Sequence, residues 1–386
     1  MSSIPREEIK NRLALLQKLM IKEGFEAACL VQTTDVYYFA GTGQDCHLYI
    51  PAEGKPLLLV YRDFERACQE TPLTDVLPFP GLSSLPQILQ ERGYPLPKYL
   101  GMELDILPAA VLPRYQKLFP GSIIKDITPL ILNLRRVKSS WELGRLRRAA
   151  DLHARVFELV GDYIRPGRTE LEIAAEFEAH ARRLGHTALI RFRGLEPGMP
   201  LGLVMAGPSG SVPSCYPLPL TGYGLSPAFP AGPSCREIKE GEPVLIDYAG
   251  CYGDYIVDQT RLFSIGNLPP ILQKAQEVAL AIAAEVAAAA RPGTTCGELY
   301  DLAYRLAKRA GLEENFMGWR MPAKFIGHGV GLELNEKPVL ARGSEEVLAA
   351  DMVFALEPKF TFPGLGAVGV EETYVVQDDG AVALTH

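Results

Sequence analysis

Along the chain the apolar positions change period several times, and the changes mark out its elements. Ser3 with Pro5 marks a helix start, and Ile9, Leu13, Leu16 and Met20 follow at helical spacing until Gly24, which predicts an amphipathic helix. Short β-prone runs come next at residues 27–32, 47–51 and 57–61, the last two parted by the turn signal Glu53-Gly54-Lys55-Pro56. Helical patterns at residues 85–92 and 109–118 complete an α/β domain assigned to residues 1–133. Nothing in it carries recognisable chemistry.

A second domain, residues 134–386, opens with Ser139 and Glu142 at capping-box spacing, ahead of Leu143, Leu146, Ala150, Val156 and Leu159. Inside it, RPGRTELEIAAEFEAHARRLG from Arg165 is echoed by RPGTTCGELYDLAYRLAKRAG from Arg291. Each copy has its own cap, Thr169 with Glu172 and Thr295 with Glu298. Two related α+β halves with a ligand cleft between their sheets are expected; two helices that share only helix-start chemistry are the alternative. The Gly/Pro/Ser-rich residues 198–234 between the halves cannot form a regular helix and are expected to rim or cover the cleft. The apolar run 278–290, interrupted by Glu285, is too short to span a bilayer and predicts a buried helix.

Composition narrows the classes of partner. A length of 386 residues fits two domains. The net charge of -7 mixes both signs without a long basic stretch, so no nucleic-acid partner is expected. The first residues have neither the basic start nor the apolar stretch of a secretory signal, and a cytoplasmic protein without a membrane partner is expected. Seven scattered cysteines with no Cys-x-x-Cys pair argue against a disulfide framework and a thiolate zinc site.

The chemistry starts at EPVLIDYAGCYGDYIVDQTRLFSIG, which predicts a strand, a turn around residues 250–253 and a second strand. Asp247 and Asp258 both lie in apolar runs, where a lone carboxylate is costly, so they need a cation or a proton. A hairpin would bring them face to face, and two such charges share a proton or bridge metal ions. His328 lies in Phe-Ile-Gly-His-Gly-Val-Gly, Glu357 ends Met-Val-Phe-Ala-Leu-Glu, and Glu371 follows Ala-Val-Gly-Val. Singly, each is as readily a cap or a hydrogen-bonded core residue as a ligand. Together, four acids and an imidazole suit divalent manganese, cobalt, iron or zinc.

On these residues the sequence resembles the pita-bread metallopeptidase superfamily, which includes methionine aminopeptidase, aminopeptidase P, prolidase and the non-peptidase creatinase. Residues 1–133 resemble a creatinase-type N-terminal domain. The resemblance implies an α/β domain followed by an α+β pita-bread domain with a pseudo-twofold repeat. It places Asp247, Asp258, His328, Glu357 and Glu371 on metal-ligand positions, and Asp258-Gln259-Thr260-Arg261 on an Asp-x-Thr-Arg motif in which Thr260 supports a ligand. By the same resemblance Asp258 and Glu371 bridge two ions, Asp247 holds one, and His328 with Glu357 holds the other. A hydroxide between the ions is the nucleophile, and Glu357 carries the proton to the leaving nitrogen. A homodimer acting on a small peptide or amide is implied.

The chain also departs from the family. Peptidase members generally carry two further histidines that bind substrate. No histidine occurs between His186 and His328, where the sequence instead reads Pro213-Ser214-Cys215-Tyr216, and seven residues after His328 stands Asn335. Asn335 donates a hydrogen bond but transfers no proton. Asn335 and Tyr216 are the substrate-binding candidates, with Tyr248 a further hydroxyl. Three functions stay open: an Xaa-Pro-type hydrolase, a lyase or amidinohydrolase-like enzyme on the same scaffold, and a non-catalytic metal-binding relative.

Overall fold

A computed structural model describes residues 4–194 and 200–386. Ser3 of the first helix signal, and the opening residues 198 and 199 of the Gly/Pro-rich stretch, lie outside the described residues. The chain divides into two compact units, Met1–Arg135 and Arg136–His386. No helix among the described residues is long and apolar enough to cross a membrane.

The first helix, Arg6–Glu23, follows Pro5 and ends at Gly24 with φ 74°, burying Ile9, Leu13, Leu16 and Met20 on one face. Six strands follow in the first unit: β1 (Ala27–Leu30), β2 (Cys46–Pro51), β3 (Leu57–Val60), β4 (Val76–Pro78), β5 (Tyr99–Met102) and β6 (Ile123–Asp126). They form one mixed sheet in the order β4-β3-β2-β1-β5-β6, with β1–β2 and β2–β3 antiparallel and the other pairs parallel. The helix Thr33–Ala40 escapes the periodicity, because its residues are mostly β-branched or aromatic. It is held by its ends: the Gln32 side chain accepts the Asp35 N–H, and Gly41 closes the last turn at φ 76°. The pattern at 109–118 yields a shorter helix, Leu112–Leu118.

In the second unit, β7 (Gly202–Ala206), β8 (Pro243–Cys251) and β9 (Ile256–Ser264) form an antiparallel sheet. β7 lies inside the stretch expected to be irregular, where Leu203, Val204, Met205 and Ala206 supply a short buried strand. Further on come β10 (Phe325–Gly329), β11 (Glu336–Ala341), β12 (Val353–Leu356), β13 (Lys359–Phe362), β14 (Gly366–Gly369), β15 (Glu372–Gln377) and β16 (Gly380–Ala383). Of these, β11-β10-β12-β15-β16 form a five-stranded antiparallel sheet and β13-β14 a hairpin. A bridge between Thr260 and Glu371 ties β9 to the entry of β15.

The repeated strings fold alike. Helices Glu170–Arg183 and Cys296–Arg309 are both 14 residues long, and both carry a complete capping box, as does Ser140–Phe157. Ahead of each, the glycine of Arg-Pro-Gly donates its N–H to a later carbonyl: Gly167 to Ile238 at 3.0 Å and Gly293 to Leu348 at 2.9 Å. Nine residues past Ile238 stands Asp247, and nine past Leu348 stands Glu357, so each half delivers a carboxylate at the same place in its own repeat. Residues 278–289 belong to the helix Pro270–Ala289, with Ala290 just past its end, and the helix is buried on one face rather than throughout: Ile282 and Val286 are buried, while Leu280 is half exposed.

Candidate metal centre

Strand pairing brings the candidates together. In the β8–β9 hairpin Asp247 pairs with Thr260 and Ala249 with Asp258, so the two aspartates are diagonal neighbours on one face rather than directly opposed. Both line a cavity of about 70 Å³ with His328, Asn335, Glu357, Lys359 and Glu371. His328 is the penultimate residue of β10, Glu357 follows β12, and Glu371 precedes β15. Period-2 patterning aims each side chain, and sheet register makes them meet.

His328 is oriented from behind. Its Nδ1 lies 3.0 Å from the Leu334 carbonyl, which only accepts, so Nδ1 carries the hydrogen and Nε2 faces the acids. From Nε2 the distances are 3.8 Å to Asp258 Oδ2, 3.9 Å to Glu357 Oε1 and 4.0 Å to Glu371 Oε1. These are too long for hydrogen bonds. They exceed by a few tenths of an ångström the ~3.3–3.6 Å edge of a tetrahedral shell with bonds of about 2.0–2.2 Å. Asp258, His328 and Glu371 each bring one donor atom within 4.8 Å of the others. One divalent ion fits this side of the centre.

The other side is filled by Lys359, which the sequence reading passed over. Its Nζ lies 2.8 Å from Asp247 Oδ2, 2.8 Å from Glu357 Oε2 and 2.9 Å from Glu371 Oε2, and the residue is 2 % exposed. A signal was present: Lys359 stands two residues after Glu357 in an otherwise apolar run, the spacing that returns an extended chain to the same face. Burial pulls its ammonium toward neutrality, but Asp247, Glu357 and Glu371 hold its pKa well above the usual lysine value. Burial pushes the Asp258 carboxyl well up, and Glu371 and Asp247 add to this. Asp247 is raised by burial too, against the pull of Lys359.

Among the supporting candidates, Thr260 Oγ1 donates to Glu371 Oε2 at 2.7 Å. Asn335 is exposed and lines both the inner cavity and an adjoining one of about 240 Å³, which Tyr216 also lines together with Phe192, Leu218, Phe325 and Val339. Leu218 and Leu220 of the Gly/Pro-rich stretch line the inner cavity. Tyr248 does not serve as a substitute hydroxyl: next to Asp247 on β8 it points away, is buried, and donates to Glu178 at 3.1 Å.

Comparison with known proteins adds to this geometry. Residues 144–378 match the description of Metallopeptidase family M24, and residues 12–137 that of the Creatinase/Prolidase N-terminal domain. The chain is 26% identical over 379 residues to an Xaa-Pro dipeptidase of Pyrococcus furiosus, covering 98% of both chains. It is 29% identical over 396 residues to a probable dipeptidase PepE of Mycobacterium tuberculosis, covering 98% of this chain and 95% of the relative. The crystal structure of the Pyrococcus horikoshii OT3 prolidase superposes with a TM-score of 0.82 at 24% identity, over 97% of this chain and 98% of that one, a likeness of fold.

Proposed function

Because the chain belongs to metallopeptidase family M24, with a creatinase/prolidase-type N-terminal domain, we propose that it is a metal-dependent hydrolase of small peptides, of the Xaa-Pro dipeptidase kind. The observation that carries this reading is the convergence of Asp247, Asp258, His328, Glu357 and Glu371 on one cavity. Asp258, His328, Glu371 and Glu357 would hold a divalent ion, of manganese, cobalt, iron or zinc. The chemistry such an ion supplies when bound is Lewis acidity and a water acidic enough to act as a nucleophile near neutral pH.

The side chains do the rest. Glu357, with Oε2 tied to Lys359 and Oε1 turned toward His328, accepts a proton from the attacking water and returns it to the leaving nitrogen. The 70 Å³ and 240 Å³ cavities share Phe192, Leu218, His328 and Asn335, and together they offer a short passage with one apolar end. A dipeptide with an apolar residue suits it. Asn335 donates to the substrate carbonyl, and Tyr216 stands at the far wall. With asparagine where peptidases of the family place a histidine, turnover is expected to be slow, since an oxyanion donor is worth about a hundredfold to a thousandfold in rate. The same reading carries a cytoplasmic homodimer, and sedimentation equilibrium tests the stoichiometry.

The experiment is a panel of Xaa-Pro and other dipeptides incubated with metal-loaded protein, reading release of free amino acid. Turnover is expected, and Glu357→Gln is expected to lower it by about a hundredfold to ten-thousandfold with the circular dichroism unchanged. No release from any dipeptide, with metal bound, would overturn the peptidase reading in favour of a lyase or amidinohydrolase-like reaction on the same scaffold.

A further inference from the structure

We infer that Lys359 is a built-in cation of this centre: its ammonium takes the place of a second divalent ion between Asp247, Glu357 and Glu371, so that each chain binds one divalent ion, on Asp258, His328, Glu357 and Glu371. This rests on the metal-centre part of the proposed function and not on the choice of substrate.

The ammonium has three N–H bonds, and three carboxylate oxygens from three separate segments meet it at 2.8, 2.8 and 2.9 Å. Its hydrogen bonding is complete. An ion bonded to the same oxygens at ~2.0–2.2 Å would stand in contact with Nζ, two cations with no ligand between them. Either the lysine or the ion can be there.

The fold makes room for the lysine. Lys359 opens β13 and pairs across the hairpin with Gly369 on β14. A Cβ at Gly369 would lie 2.6 Å from the Pro358 carbonyl oxygen, 2.8 Å from Lys359 Cγ and 2.9 Å from its Cα, so the glycine lets the two strands approach and leaves space for the aliphatic stem to lie against β14.

Charge allows the same count. Asp247, Asp258, Glu357 and Glu371 can carry four negative charges in a buried cluster whose single lysine offsets one of them. With the ammonium present, one dication leaves the centre with about one net negative charge and two leave it with about one net positive charge, so a single ion is compatible with the charge of the cluster, and the space filled by the ammonium decides the count. The donors for that one ion are left open, because Lys359 engages Oε2 of both Glu357 and Glu371 while each Oε1 faces His328.

The test is a count of metal. Protein freed of metal with a chelator is dialysed against manganese(II) and analysed for manganese per chain, with the electron paramagnetic resonance spectrum recorded alongside. Wild type is expected to hold one ion with the spectrum of an isolated manganese. Lys359→Met is expected to hold two, with a coupled-pair spectrum, and to gain more in thermal midpoint from added manganese than wild type does. Lys359→Gln serves as the second variant, and if neither variant folds, the wild-type count decides. Two ions in wild type, none in wild type, or one in a folded Lys359 variant would each overturn the inference. One ion per chain without peptide release sinks the peptidase reading alone, and two ions with release sink only this inference.

Discussion

Thr260 hydroxyl and Lys359 ammonium share one acceptor, Glu371 Oε2, at 2.7 and 2.9 Å. That oxygen is fixed from two directions, which leaves Oε1 aimed at His328. Thr260→Val keeps the shape and removes the hydroxyl, freeing the carboxylate to rotate. Support of this kind is worth about tenfold to a hundredfold in metal affinity. Titration of the variant with manganese against a competing chelator is expected to show a loss in that range; unchanged affinity would mean that the hydroxyl plays no part in orienting Glu371. On the imidazole side, the Leu334 carbonyl has the corresponding task at Nδ1, and as a main-chain group it is out of reach of substitution.

Among the elements that carry the site, β10 has its sequence dictated by its neighbours. A Cβ on Gly327 would lie 2.3 Å from the Ala355 carbonyl oxygen on β12, and one on Gly329 would lie 2.2 Å from the Lys337 carbonyl oxygen on β11. Both obstacles are backbone, which cannot turn aside as a side chain can. The glycines flanking His328 therefore serve strand approach rather than ligand access, and they set the depth at which the imidazole sits. Gly329→Ala is expected to cost about 1–3 kcal/mol by overpacking and to weaken manganese binding with it, read as a lower urea midpoint and a weaker titration. A variant with wild-type stability and affinity would show that β10 yields without moving His328.

Across the whole molecule, burial of a neutral histidine links stability to pH. His153, on the helix Ser140–Phe157, is fully buried, with Nε2 donating to the Tyr248 carbonyl at 2.9 Å and Nδ1 3.2 Å from the Tyr252 hydroxyl. Burial lowers its pKa from the usual 6.5 to about 3. Between those values the unfolded chain takes up a proton that the folded chain refuses, so the contribution is complete above pH 6.5 and is lost as pH falls toward 3. His186, lowered by burial as well, acts with the same sign. The buried acids Asp258 and Glu170, raised by burial, act oppositely, so the informative quantity is the difference between two proteins. Relative to His153→Gln, wild type is expected to lose about 1.4 kcal/mol per pH unit below 6.5, measured as urea unfolding free energy from pH 7 to 5. Parallel profiles would show that His153 is protonated inside the folded protein.

Much of this protein could be read from near neighbours in the chain. The capping boxes at Ser139, Thr169 and Thr295, the glycine stop at Gly24 and the β8–β9 hairpin each depend on residues a few positions apart, where backbone geometry leaves little choice. The order and apolar settings of Asp247, Asp258, His328, Glu357 and Glu371 were visible for the same reason. Helix Thr33–Ala40 and strand β7 were not, because burial and end-capping overruled weak local preference. The diagonal placing of the two aspartates came from sheet register, and Tyr248 turned away from the site, into a buried contact with Glu178, on strand alternation. Above all, Lys359 meets Asp247 across 112 positions of sequence, a contact made by folding two halves of a repeat against each other. Periodicity records which face a side chain takes, and only the packed sheets determine which charge it finds there.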